Sequence, residues 1–448
     1  KDPGLTALYL ERYLNYGLKR EDLQSGKPII GIAQSGSDLS PCNRHFQALS
    51  NVIKDGIREA GGVPMEFPTH PIQETGKRPT AGLDRNLSYL SLVEVLYGYP
   101  IDGVILTTGC DKTTPAALMA AATVNIPSIV LSGGPMLDGT YKGKKAGSGT
   151  IIWEARRLHA KGEISYEEFM DMAAASAPSI GHCNTMGTAS SMNSIAEALG
   201  MSLTGGAIIP APYKERESIS FKTGKRIVEM VHEDLTPSKI MTKKAFENAI
   251  YVASAIGASS NCPPHLTAIA RHMGIDFGID NWEKLGHDIP LLVNCQPAGE
   301  YLMEGFFKAG GIPAIMQELM KNNKLHKDLM TVTGKTIAEN LIEKIDIDEN
   351  IIKSFKNPLV NNAGFIVMKS NFFNSAVMKT SVISSEFRKR YLSNPTSLNL
   401  FEANAVVFEG PEDYHLRIND ESLNIDENSI LMIRGCGPVG YPGSAEVV

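Results

Sequence analysis

The sequence predicts an α/β protein whose first domain has a mainly parallel sheet with helices on both faces. Short apolar runs alternate with helical stretches in the first part of the chain, and polar or glycine-rich turns follow the apolar runs. This alternation is typical of βαβ units. After about residue 355 the pattern changes to short β-type runs separated by turn residues. We therefore expect an α/β domain over residues 1–355 and a smaller, β-rich, barrel-like domain over residues 356–448.

Four apolar segments are the expected strands of the parallel sheet, at residues 27–33, 63–67, 103–106 and 126–131. The stretch between the first two strands carries a helical stripe of apolar residues, Phe46, Leu49, Ile53 and Ile57. Residues 87–97 are predicted to form the helix before the third strand. Because the carboxyl ends of parallel strands lie at one edge of a sheet, the polar residues after these strands should gather there.

Further expectations concern the rest of the chain. The helical, charged stretch 141–177 is expected to cover the sheet, and residues 207–209 are expected to form a short strand. The β-type runs of the second domain lie at 364–368, 405–408 and 430–433. The sequence ends at Val448, directly after a stretch with the composition of an active-site loop, so we expect the second domain to be incomplete here. A disordered tail is the favoured explanation, and a truncated protein is the alternative.

Composition and charge exclude several classes of protein. With 43% hydrophobic and 21% charged residues, the chain has the composition of a soluble globular protein. Its formal net charge of -6 gives no basis for binding nucleic acid. No uninterrupted apolar run reaches the length of a membrane span, and residues 1–4 lack the apolar core of a signal peptide. We expect a cytoplasmic protein.

The six cysteines are scattered, and none forms a Cys-x-x-Cys pair, so disulfides and a structural zinc site are not expected. Cys262, Cys295 and Cys436 are interpreted as reduced, mostly buried thiols. Cys42, Cys110 and Cys183 differ, because each lies in a polar turn between an apolar segment and a helix. Three thiols on three turns can bind iron and leave one coordination position open, which favours Lewis-acid chemistry on a substrate oxygen. The alternative is three reduced thiols without a metal.

Oxygen and nitrogen groups suggest a second site. Glu74, Asp111 and Glu446 are hard ligands of the type that Mg²⁺ takes, although each could equally be a solvated carboxylate. Lys112 could bind a substrate carboxylate or pair with Asp111. His265 could contact the substrate or serve only in packing.

Four motifs together resemble the dihydroxy-acid dehydratase / phosphogluconate dehydratase family from end to end. They are Pro41-Cys42-Asn43, Gly109-Cys110-Asp111-Lys112-Thr113-Thr114-Pro115, the segment 181–189 around Cys183, and the segment 437–443. The segment 70–80 resembles the sugar-acid branch, the arabinonate and xylonate dehydratases. Ser260 and Cys262 depart from relatives that tend to have Thr and Ala there.

The resemblance implies cofactors and roles for particular residues. It implies an iron–sulfur cluster on Cys42, Cys110 and Cys183, with 2Fe–2S favoured and 4Fe–4S as the alternative. It also implies Mg²⁺ on Glu74, Asp111, Glu446 and a carbamylated Lys112. Family chains carry a serine, thought to be the catalytic base, in a segment beyond the position of Val448. A homodimer or homotetramer is expected.

The expected function is dehydration of a 2,3-dihydroxy sugar acid, a pentonate such as L-arabinonate or D-xylonate or a related aldonate, to the 2-keto-3-deoxy acid. Such an enzyme is a hydro-lyase, and its partner is a small molecule rather than a nucleic acid or a membrane. The alternative within the family is a branched-chain dihydroxy-acid dehydratase. Alternatives from other classes are an iron–sulfur electron-transfer or sensor protein and an inactive, truncated remnant.

Overall fold

A computed structural model describes residues 3–15, 17–73, 80, 82–369, 371, 374–392 and 402–436. Its centre is a parallel sheet of four strands in the order β2-β1-β3-β4. The strands are β1 (Ile29–Gln34), β2 (Val63–Pro68), β3 (Gly103–Thr108) and β4 (Ser128–Ser132). All four predicted strands are therefore confirmed, and so is the α/β fold class.

Burial shows that helices cover both faces of the sheet. Every residue of β3 and β4 is buried, and successive side chains of a strand point to opposite faces. The register pairs Gly31 with Val104 and Leu106 with Val130, so the apolar centres of the strands lie side by side.

The helices of the first part of the chain divide into two groups around the sheet. One group consists of α3 (Phe46–Glu59) and α9 (Lys214–His232), which pack on each other and on the strands. In the other group, α5 (Thr113–Val124) packs on α4 (Gly82–Gly98), α8 (Thr188–Ala198) and α12 (Cys262–His272). Every residue of α8 is buried, so this helix is part of the core.

The remaining helices come before or after the sheet in the sequence. The chain begins with α1 (Pro3–Leu14) and α2 (Arg20–Gln24). The others are α6 (Thr150–Ala160), α7 (Tyr166–Ala175), α10 (Pro237–Ile240), α11 (Lys243–Ala255), α13 (Asp280–Gly286), α14 (Met303–Lys308), α15 (Gly311–Lys321) and α16 (Ile337–Asn340). None of the described helices is both long enough and apolar enough to cross a membrane.

The later part of the chain contains two small sheets among its described residues. Strands β7 (Phe365–Met368) and β8 (Ala376–Lys379) are antiparallel. The short helix α17 (Ser385–Phe387) follows, and then β9 (Asn404–Phe408) and β10 (Ser429–Ile433) form a parallel pair around α18 (Pro411–Arg417). The three predicted β-type runs are therefore strands.

Residues 207–209 do not form the predicted strand. Two fully buried charged side chains bind this backbone instead. The Glu197 carboxylate accepts hydrogen bonds from the Gly205 and Ala207 amides at 2.7 and 2.9 Å. The Arg216 guanidinium donates to the carbonyls of Gly206, at 3.0 Å, and Ile209. Because these side chains bind the backbone groups that a sheet would use, the segment is a loop.

The stretch 141–177 contains a short hairpin, β5 (Thr140–Tyr141) and β6 (Lys144–Lys145), followed by α6 and α7. Its buried residues form a small apolar cluster separate from the main core, consisting of Ala146, Ile151, Ala155 and Met172. Helices α6 and α7 pack on each other within this cluster and lie beside the turns described next.

Candidate active site

The carboxyl edge of the sheet brings together turns from distant parts of the chain. After β1, a single 3₁₀ turn, Pro41–Asn43, carries Cys42, and after β3 the turn before α5 carries Cys110, Asp111 and Lys112. The turn after β4 is joined to the Cys183 turn by backbone hydrogen bonds: His182 N donates to Gly134 O at 3.0 Å, and Met136 N donates to His182 O at 2.9 Å. The predicted gathering of these turns is confirmed.

The thiols of Cys42 and Cys110 are hydrogen-bonded to each other. This contact holds the pKa of the Cys42 thiol below its ordinary value, and a hydrogen bond from Gln73 Nε2 to Cys42 Sγ at 2.8 Å acts in the same direction. Gln73 also accepts from the Cys42 amide through Oε1 at 3.3 Å. Its side-chain amide therefore fixes both the sulfur and the backbone of this turn.

Cys183 lies beside the same group. Burial raises the pKa of its thiol to about 12, and the charges of Cys42 and Asp111 add to that effect, while a hydrogen bond with the Ser148 hydroxyl opposes it. The position of Ser148 is fixed by Asn184, whose side-chain oxygen accepts from the Ser148 amide at 2.8 Å. The structure thus brings the three predicted thiols and Asp111 into one group.

The side-chain amide of Asn43 lies next to this group without a hydrogen-bond partner among the described residues. Asn43 is fully buried, and neither polar atom of its side chain has a hydrogen-bond partner among the described residues. The Asn43 oxygen lies so close to Gly109 that a Cβ at Gly109 would collide with it. Because a buried amide without a partner costs free energy, its position next to Cys42 and the Cys110 turn indicates a site built for a further polar group.

A cavity of about 840 Å³ opens beside the thiols. Cys42 and Cys183 are among its lining residues, together with Gln73, Ser148 and, from α6, Trp153. This is the size range of small-molecule sites.

Charged and polar groups lie on the other side of the Cys110 turn. Lys112 is buried at the N-terminus of α5. His265, on α12, interacts electrostatically with Lys112. Its Nδ1 atom lies 3.0 Å from Nη1 of Arg85, which belongs to α4. Burial, together with the charges of Arg85 and Lys112, holds the pKa of His265 well below its ordinary value, so the ring is neutral.

Lys379, at the end of β8, brings the later part of the chain to this region. Burial lowers the pKa of its amine to about 8, and the charge of Cys262 acts in the opposite direction. Cys262 interacts electrostatically with Asp111 as well, and burial raises the pKa of its thiol to about 12. Among the described residues the Lys379 amine has neither an ion pair nor a hydrogen bond. It is therefore a partly buried cation without a counter-ion among the described residues, and it lies near Cys262.

Sequence reasoning missed Gln73, Arg85 and Lys379. Arg85 and Lys379 lie in no motif, and the three residues reach their partners from different parts of the chain. One signal was available for Gln73, which directly precedes Glu74 in a loop expected at the sheet edge. The predicted Mg²⁺ ligands Glu74 and Glu446 lie outside the residues that the structure describes.

Of the other cysteines, Cys262 and Cys295 are buried, as predicted, while Cys436 is only partly buried. Within the described ranges, no three histidine, cysteine, aspartate or glutamate side chains form a group that could hold a single metal ion.

Known proteins resemble this chain over nearly its whole length. It matches the dihydroxy-acid/6-phosphogluconate dehydratase N-terminal domain over residues 27–340 and the C-terminal domain of the same family over residues 350–448. It is 61% identical over 444 residues to the D-xylonate dehydratase of Caulobacter vibrioides, covering 99% of this chain and 74% of that protein.

Two further relatives are more distant. The L-arabinonate dehydratase of Rhizobium leguminosarum bv. trifolii is 45% identical over 427 residues, covering 95% of this chain and 72% of that protein. The dihydroxy-acid dehydratase of Halothermothrix orenii is 35% identical over 445 residues, covering 98% of this chain and 78% of that protein.

Proposed function

We propose that this chain removes water from a sugar acid to give the 2-keto-3-deoxy acid. The premise is that the chain belongs to the dihydroxy-acid/6-phosphogluconate dehydratase family. Its relatives are named dehydratases, which are hydro-lyases, so the chain is an enzyme of that class. A pentonate is the proposed substrate, with D-xylonate first and L-arabinonate second, in the order of the identities. The observation that carries this proposal is the meeting of three thiols with Asp111 at the edge of the sheet that also holds Lys112.

The thiols fit an iron–sulfur cluster, for which we propose Cys42, Cys110 and Cys183 as ligands. A cluster distributes its thiolates over more than one iron, so its ligands need not surround a single ion. The unpartnered amide of Asn43 supports this assignment, because its NH₂ group could donate to an anionic sulfur beside it. We propose 2Fe–2S, with 4Fe–4S as the alternative.

Asp111 and a carbamylated Lys112, with Glu74 and Glu446, are the proposed ligands of Mg²⁺. Carbamylation would convert an amine, which repels a cation, into an anionic oxygen donor. When bound, the two metal groups would supply Lewis acidity to the substrate's oxygens as charge develops there.

The chain's own residues would bind and orient the sugar acid. The Lys379 ammonium is partly buried and has no counter-ion among the described residues, and a carboxylate of the substrate would supply one. His265, neutral and buried beside Lys112, would contact a substrate oxygen. Because Lys112, Cys110 and His265 are all nearly inaccessible, the bound substrate would be shielded from water, which strengthens each of these polar contacts.

An anaerobic assay tests the proposed reaction. The protein, reconstituted with iron and sulfide and supplied with Mg²⁺, is given D-xylonate, L-arabinonate, D-gluconate or 2,3-dihydroxyisovalerate, and 2-keto acid is measured. We expect the highest kcat/KM on a pentonate. Turnover of the branched-chain acid alone would assign the other branch of the family, and turnover of none would refute the proposed function.

We also propose a cytoplasmic homodimer or homotetramer. Trp153 and Ile180 support the oligomer, because both are about half exposed while lining the cavity beside the thiols. Light scattering coupled to size-exclusion chromatography measures the oligomeric state, and a monomer would contradict it.

A further inference from the structure

The contact between Arg85 and His265 determines where the histidine carries its proton. Arg85 Nη1 lies 3.0 Å from His265 Nδ1. The guanidinium has only donors and stays protonated, so it donates and Nδ1 must accept. Its Nε and Nη2 donate to Asn86 Oδ1 at 3.2 and 3.0 Å, which holds the guanidinium plane in place.

His265 is therefore neutral with its proton on Nε2. A protonated ring would place an N–H at Nδ1 against the N–H of Arg85, and the burial of the ring disfavours a charge as well. The contact with Arg85 and the burial of the ring both favour the neutral form of His265.

The Nε2 atom has no hydrogen-bond partner among the described residues, although it is fully buried. A buried donor without an acceptor costs free energy, because it has lost its hydrogen bonds to water. Lys112 lies nearby, and its ammonium form offers only donors. Among the described residues, no acceptor oxygen therefore lies within hydrogen-bonding distance of Nε2.

We infer that Arg85 is a positioning residue that fixes His265 as the Nε2–H tautomer, so that His265 donates a hydrogen bond to an anionic oxygen beside Lys112. The oxygen has two possible sources, the sugar acid or a carboxylated Lys112 side chain, and only its identity depends on the proposed function. A donor held in this way needs no reorganisation when negative charge grows on the acceptor, which is how preorganised donors stabilise a transition state.

Nitrogen-15 NMR of protein labelled at histidine tests the tautomer without requiring turnover. The variant His265→Asn identifies the His265 signals. We expect a protonated Nε2 and an unprotonated Nδ1 from pH 6 to pH 9. In Arg85→Met the ring should become a mixture of tautomers with a pKa closer to the ordinary value, whereas Arg85→Lys, which keeps a donor, should retain the single tautomer. An Nδ1–H tautomer in the unmodified protein, or an Arg85→Met spectrum identical to it, would overturn the inference.

Two additions identify the acceptor. Bicarbonate without sugar acid should shift the Nε2–H signal downfield if carboxylated Lys112 is the acceptor, and D-xylonate should shift it if the substrate is. If neither shifts it, there is no acceptor and the inference fails, even if the enzyme is active. In kinetics, we expect Arg85→Met to lower kcat/KM by about 10- to 100-fold. We expect His265→Gln, which keeps an N–H donor, to retain more activity than His265→Leu.

Discussion

Cys42 and Cys183 belong to one group of side chains, yet the pKa values of their thiols move in opposite directions. Cys42 receives hydrogen bonds from Cys110 and Gln73, which stabilise its thiolate, whereas burial dominates at Cys183. The Cys42 thiolate is therefore formed first and would be the first to bind a cation. Binding of a metal would then offset the burial and the nearby negative charges that keep Cys183 protonated.

Replacing a thiol of this group should abolish the cofactor without unfolding the protein. We expect Cys110→Ser to lose most of its iron and its visible absorption after anaerobic reconstitution, because a hydroxyl is a poor ligand for iron in a cluster. Cys436→Ser is the matched control, since that thiol is partly exposed and Glu412 is the only side chain that shifts its pKa among the described residues, and it should keep its iron. Iron and sulfide analysis measures both, and full iron content in Cys110→Ser would contradict the assignment.

The amine of Lys379 should give substrate binding a pH dependence. Its pKa is lowered to about 8, so the amine is positively charged below that pH and neutral above it. Loss of the charge removes the partner of the substrate carboxylate, so KM should rise as the pH increases through about 8. Binding of the anionic substrate itself shifts this point upward.

Two variants separate charge from packing at this position. Lys379→Met should raise KM by about 10- to 100-fold at pH 7, since a hydrogen bond to a charged group contributes about 1.5–3 kcal/mol. Lys379→Arg keeps its charge and should show a KM that stays flat to higher pH. An unchanged KM in Lys379→Met would exclude the contact.

The residues of the site differ in how far the sequence could predict them. Cys42 and Cys110 follow strands, and Cys183 lies in a similar polar turn, so their convergence was predictable from the shared edge of a parallel sheet. Arg85 and Lys379 reach the site from a helix and from a strand of the later part of the chain. Such contacts depend on packing between elements far apart in sequence, for which a single sequence holds no periodic signal.

At the scale of elements, two helices cross at unusually short distance because each has a glycine at the crossing. A Cβ on Gly56 of α3 would collide with the carbonyl oxygen of Phe221 in α9, and one on Gly224 would collide with that of Ile53. The helix α3 was predictable from its apolar stripe. The close crossing of α3 and α9 could not be predicted, because a glycine within a helix is usually read only as a residue of low helix propensity.

Adding one methyl group at this crossing should destabilise the fold. We expect Gly56→Ala to lower the free energy of unfolding by about 1–3 kcal/mol, the usual cost of overpacking. Gly98→Ala is the control, since a Cβ there has only an ordinary contact at 3.9 Å with Glu94. Urea unfolding followed by circular dichroism compares the two, and equal midpoints would mean that the helices can move apart.

Residues 207–209 show why local β propensity can fail. Their apolar sequence resembles a strand, but the charges of Glu197 and Arg216, brought in from two helices, bind the neighbouring backbone. Propensity describes the preference of a segment alone, while the choice between sheet and loop here depends on tertiary partners.

At the scale of the whole molecule, the proposed Mg²⁺ ligands are far apart in sequence. Asp111 and Lys112 follow β3. Glu74 and Glu446, which lie outside the described residues, belong to the early and the late part of the chain. An ion held in this way binds only the folded chain, so it stabilises the entire molecule. The family resemblance is confirmed by matches over both parts of the sequence, at residues 27–340 and 350–448.

Saturating Mg²⁺ should therefore raise the Tm. At a free concentration one hundred times the Kd, the expected gain is about 2.7 kcal/mol. Asp111→Asn should lose most of this shift, while Asp55→Asn, at an exposed position on α3, should keep it. Differential scanning fluorimetry with and without EDTA measures the shift, and an identical response in Asp111→Asn would contradict the ligand assignment.

The group of thiols also constrains the order of events during synthesis. Its members come from turns spread between Cys42 and Cys183, and the last turn is aligned by hydrogen bonds to the loop after β4. A nascent chain therefore cannot offer the complete set of sulfurs until all four strands have paired and the Cys183 turn has docked. Delivery of the proposed iron would thereby be confined to chains that have already folded correctly, and the cofactor would report on the last step of their maturation.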